Sequence, residues 1–106
     1  MRLLLVMLLC LFSHSAFGQA CVEKAKEIEP QLPVQARQQY EVKLIDARLN
    51  LLSENSPDNL IWLGRRTAYL GRYKEAIQIL TTGVEAHPDD ARFFRHRGHR
   101  YITIRC

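Results

Sequence analysis

The chain carries none of the short motifs that mark common chemistries. There is no Gly-x-Ser-x-Gly, no phosphate-binding glycine loop, no His-Glu-x-x-His, and no cysteine beside a plausible base. Those absences remove the hydrolase, nucleotide-binding and zinc-peptidase readings, and no enzymatic activity is expected. His96 and His99 lie one helical turn apart, with His87 nearby, but no Cys, Asp or Glu completes a ligand set. No metal and no cofactor are therefore expected. There is no strand pattern of any length and no low-complexity tract, which leaves an all-α class. Cysteine is scarce, three in 106 residues. Cys10 lies in the N-terminal apolar run, and Cys21 and Cys106 are expected to stay apart at the two ends of an elongated helical array. Disulfide scaffolding is not expected.

What is present begins with a targeting pattern. Met1-Arg2 is followed by ten apolar residues, Leu3 to Phe12, and then by small residues at Ala16 and Gly18. The run is too short for a bilayer-spanning helix, which needs about 20 residues. It fits a secretory signal peptide over 1–18, or 1–20 if cleavage follows Ala20. Export to the periplasm or secretion is the expectation. Gly18-Gln19-Ala20-Cys21 also partly matches a lipobox, so Cys21 is a lipidation candidate, and lipid anchoring to the cell envelope is the alternative. Residues 1–20 hold one arginine and no acid. Their removal leaves 14 basic and 11 acidic residues, a charge of about +3. With no groove-reading motif, that mild charge argues against nucleic acid as a partner.

After a polar leader over 19–33, apolar residues recur at helical spacing in four segments. The first spans Val34 to Ser53, with Ala36, Tyr40, Leu44, Ala47 and Leu51 on one stripe that Ile45, Leu49 and Leu52 are expected to widen. Pairing of Arg37 with Glu41 and of Lys43 with Asp46 is expected along it. The second runs from an N-cap at Ser56 to about Leu70, where Gly71 stops it. The third covers Lys74 to Ala86, and His87-Pro88-Asp89-Asp90 turns into a fourth over Ala91–Ile104.

A shift of 34 residues lays Leu60 on Phe94, Gly64 on Gly98 and Ala68 on Ile102. Leu60, Leu63, Gly64, Ala76, Leu80, Gly83 and Pro88, with Gly71-Arg72-Tyr73-Lys74-Glu75-Ala76-Ile77 between the helices, resemble a tetratricopeptide repeat. Thr67 stands where that family usually has an aromatic, and Trp62 is displaced from the usual large position. The resemblance implies antiparallel helical hairpins stacked as a short α-solenoid. It divides the chain into a degenerate preceding helix over 34–55, a full hairpin over 56–90, and the first helix of an incomplete second repeat over 91–106. It also implies a scaffold or adaptor that binds a protein or peptide in its concave groove.

Arg65, Tyr69, Arg92, Arg95 and His99 are the candidate contact residues. An arginine fork suits a carboxylate, which makes an acidic partner the expectation, although the same charges also suit a solvated helix face. In the last helix, Phe93, Phe94, Tyr101, Ile102 and Ile104 are expected to lack cover. That suggests self-association through this helix, or a chain that is the N-terminal piece of a larger repeat protein with a structural role. An accessory repeat region of an enzyme is the remaining alternative.

Overall fold

The structure, a computed structural model, describes residues 18–106, so the signal-peptide expectation over 1–18 lies almost wholly outside the described residues. Four helices follow a helical segment at 18–24: α1 (Val34–Ser53), α2 (Pro57–Tyr69), α3 (Tyr73–Ala86) and α4 (Ala91–Thr103). Among the described residues there is no strand, and no helix is long and apolar enough to cross a membrane. The helix ends follow local chemistry. Ser56 Oγ accepts from the Asn59 amide at 3.1 Å, Pro57 fills the first turn, and Asp58 stands at the positive end of the helix. Asp90 caps α4 by accepting from the Arg92 amide at 3.1 Å.

Consecutive helices pack as antiparallel neighbours, α1 on α2, α2 on α3 and α3 on α4, and α4 also touches α2. Small residues set the closeness of these contacts. A β-carbon on Gly64 would lie 2.7 Å from Leu80 Cδ2, and Ala76 is wholly buried. Gly83 faces the ring of Phe93, which is itself fully buried and stacks on His87 at 5.7 Å. Ile61, Leu80 and Phe93 form the core, with Leu60 and Val84 against it. Leu63 is half-buried and Pro88 is exposed in the α3–α4 turn. Thr67 also lies in the interior, where its hydroxyl donates to the Leu63 carbonyl at 2.7 Å. The smaller side chain there leaves no room for an aromatic, so Tyr69 supplies the ring further on, against Tyr40 of α1 at 6.2 Å.

Four expectations are corrected. The stripe on α1 is two faces, not one. Leu44 and Ala47 point inward, whereas Val42, Ile45, Leu49 and Leu52 lie on the far side, with Leu52 84% exposed. The side chains flanking those faces also pair differently from the expected one-turn pairs. Arg37 binds Glu29 at 2.5 Å and Glu41 binds Arg72 at 2.8 Å, because the leader and α3 bring partners closer than the next turn does. Phe93, expected to lack cover, is sealed by Gly83 and His87.

The fourth correction is the largest. Cys21 and Cys106 form a disulfide, with a Cα–Cα distance of 6.0 Å. The ends meet because the leader is a strap, not a free tail. From Cys21 it crosses the end of the array where α2 turns into α3, and then enters α1. Glu23 accepts from Lys74 Nζ at 3.0 Å through its carbonyl, and Glu27 accepts from the Lys74 amide at 2.5 Å. Arg72, the residue before α3, gives no side-chain cap, so Glu27 caps that helix from 47 residues away. Gly71, at φ +79°, takes the left-handed conformation that ends α2, and its bare α-carbon admits the strap. A β-carbon there would lie 2.7 Å from Pro30 Cδ and 2.9 Å from the Ile28 carbonyl.

At the far end of the strap, α4 closes in a Schellman turn. The Cys106 amide donates to the Tyr101 carbonyl at 2.8 Å and the Arg105 amide to Ile102 at 3.1 Å. Arg105 occupies the left-handed position at φ +60°, where glycine is usual. This turn brings the Cys106 sulfur back to Cys21. A sulfur held in a disulfide is not the free thiol that lipidation consumes, so the two states of Cys21 are mutually exclusive.

Candidate functional site

The candidate residues sort by position along two parallel helices, α2 and α4. At their N-terminal ends, Arg92 is held by two carboxylates. Its guanidinium reaches Asp58 at 2.6 Å and Asp90 at 2.7 Å, and its Nε donates to Asp90 at 3.0 Å. The hydrogen bond from Arg92 lowers the Asp90 carboxyl to about 2. Arg92 therefore ties α2 to α4 and offers no open fork to a ligand.

One turn on, the character changes. Arg65 lies 4.3 Å from the centre of the Trp62 ring, and its Nε donates to the Tyr69 hydroxyl at 3.1 Å. Arg66 approaches the same indole at 4.8 Å. Trp62 points outward and is 42% exposed, while Ile61 beside it turns into the core. From α4, Arg95, His96, His99 and Arg100 approach Arg65. Partial burial, and then the positive charges of Arg65, Arg95, His99 and Arg100, push the His96 imidazole below its usual range. The His96 and His99 rings meet edge to face at 6.2 Å. The stretches that carry this cluster, 59–74 and 91–106, contain no Asp or Glu, and Arg65, Arg66, Arg95 and Arg100 form no salt bridge.

Arginines of the described residues thus divide in two. Arg37, Arg48, Arg72 and Arg92 each reach an acid. Arg65, Arg66, Arg95, Arg97, Arg100 and Arg105 reach none; Arg65 and Arg66 are braced on Trp62, and Arg97 lies over Phe94 and Tyr101. Bracing restricts the guanidinium plane and leaves its outer N–H groups free, an arrangement suited to bidentate capture of a carboxylate. Sequence reasoning named Arg65, Tyr69, Arg95 and His99, which the structure gathers on one face. It passed over Arg66 and His96 as contacts, although their spacing from Trp62 and His99 carried the signal.

A second concavity lies between α1 and α2, about 290 Å³ in volume, lined by Lys43, Asp46, Asn50, Asn59, Trp62 and Arg66. Asn59 is already engaged there, donating to the carbonyls of Asn50 at 3.2 Å and Glu54 at 2.9 Å. Among the described residues, no group of three or more His, Cys, Asp or Glu is placed to hold a metal ion. Comparisons with protein-family profiles, with curated proteins and with solved structures found no match.

Proposed function

We propose that the protein is a non-catalytic binding module of tetratricopeptide type that holds an acidic segment of a protein partner against the α2–α4 face. The observation behind this reading is the set of uncompensated cations, Arg65, Arg66, Arg95 and Arg100, two of them braced on Trp62. Arg37, Arg48, Arg72 and Arg92 are paired with acids, whereas these four are not. The contact between α2 and α4 is the one that stacked repeats would make between their first helices, and it favours a short solenoid.

The disulfide favours the export reading, since such bonds persist in oxidising compartments such as the periplasm or the extracellular space. It counts against the lipid-anchored alternative. A second reading draws on the apolar faces of α1 and α4. Val42, Ile45, Leu49 and Leu52 on one side, and Phe94 and Ile102 on the other, are where flanking repeats of a larger protein or a second copy would pack.

Titration of a fluorescein-labelled dodecapeptide of alternating Asp and Ser tests the main reading. Wild-type protein is expected to raise its anisotropy in a salt-sensitive manner. The Arg65→Glu/Arg95→Glu variant is expected to bind at least tenfold more weakly. Equal binding by the two proteins would remove the α2–α4 face from consideration.

A further inference from the structure

The cationic face includes two imidazoles, His96 and His99, set among guanidinium groups. Arg65 faces His96 from α2, and Arg95, His99 and Arg100 face it from α4 itself. The acids of α3, the other helix packed on α4, are Glu75 and Glu85; Glu75 reaches Arg48, and neither is among the groups acting on His96. A proton gained by His96 adds a charge to a surface already rich in it. Without a ligand that step is opposed; beside a row of carboxylates it is favoured.

We propose that this site is proton-linked, so that an acidic ligand binds together with a proton taken up by His96, and binds more tightly as pH falls. The inference rests on the acidic-ligand reading above. The geometry carries it: the two rings are 6.2 Å apart, His96 is half-buried and His99 is exposed, and every charged neighbour acting on His96 is positive. Burial and those neighbours disfavour the charged form of His96 in the free protein. Carboxylates brought against the cluster reverse the sign of its surroundings and pull the imidazole pKa upward. By linkage, the same proton then strengthens ligand binding.

The test uses the Asp–Ser dodecapeptide, whose carboxylates titrate near 3.9 and stay ionised through the range. Its Kd is expected to fall about tenfold between pH 7.5 and pH 5.5, the change that one linked proton gives over about one effective pH unit. The His96→Gln/His99→Gln variant is expected to bind with the same Kd at both pH values. In parallel, NMR titration of the His96 imidazole is expected to move to higher pH on saturation with peptide. A wild-type Kd that is the same at both pH values but is weakened by Arg65→Glu/Arg95→Glu overturns the proton linkage and leaves the acidic-ligand site standing. A pH dependence that survives in the double-glutamine variant also overturns the linkage. Absence of binding at either pH overturns both.

Discussion

The ring of Phe93 lies against the bare α-carbon of Gly83. A β-carbon there would lie 2.1 Å from two of the ring carbons, and Phe93 is fully buried and stacked on His87. Gly83→Ala is therefore expected to destabilise, because overpacking by about 1–3 kcal/mol exceeds the gain of about 1 kcal/mol from replacing glycine within a helix. Gly98, which a 34-residue shift places on Gly64, meets nothing within 4 Å. Gly98→Ala is expected to stabilise by about 0.5–1 kcal/mol. Urea denaturation of the two variants should give opposite signs.

Gly71 combines a left-handed backbone with a close neighbour. Gly71→Ala is expected to cost about 1–3 kcal/mol, and also to lift the strap away from the α2–α3 turn. Hydrogen exchange should then quicken in residues 22–30 and at the Lys74 amide, which Glu27 otherwise holds. Unchanged protection at Lys74 would show that the strap does not depend on this approach.

Cys21 and Cys106 close a loop with a sequence separation of 85. In the chain-entropy account a loop of that size contributes about 4.5 kcal/mol. Cys21→Ser, or reduction of the wild type by a dithiol, is expected to lower stability by several kcal/mol, a large part of what a domain this small commands. Thermal melts with and without reductant measure it, and Cys21→Ser should be insensitive to reductant.

His96 provides a pH prediction for the free protein. Its folded pKa lies below the unfolded value of 6.5, so the folded state binds fewer protons there. Stability from this residue is present above about pH 6.5 and is lost as pH falls through the lower folded value. The Tm is expected to drop between pH 7 and pH 5, and His96→Gln should flatten that part of the profile.

The helices were legible because their signals are local. Ser56, Gly71 and Asp90 punctuate the chain, and apolar spacing did the rest, so the four spans differ from expectation by a residue at most. The strap was not legible, because its contacts are long-range. Glu27 reaches Lys74 across 47 residues and Cys21 reaches Cys106 across 85. Nothing in a polar segment with two prolines reports such partners. The same limit explains α1, where Ile45 and Leu49 read as part of one broad stripe. Only the direction from which α2 approaches separates the two faces. At the candidate site, charge was readable but pairing was not. Arg92 and Arg65 look alike in sequence, and the difference lies in Asp58 and Asp90 on one side and Trp62 on the other.

The bond between Cys21 and Cys106 makes the segment between them a covalent ring. A protease that cuts once within it, for instance at the exposed Pro88–Asp89 turn, opens the ring without dividing the molecule. The two halves of the helical array would stay tethered, at a high effective concentration for one another. A single nick would then be survivable, and only a second cut or a reductant would release a fragment.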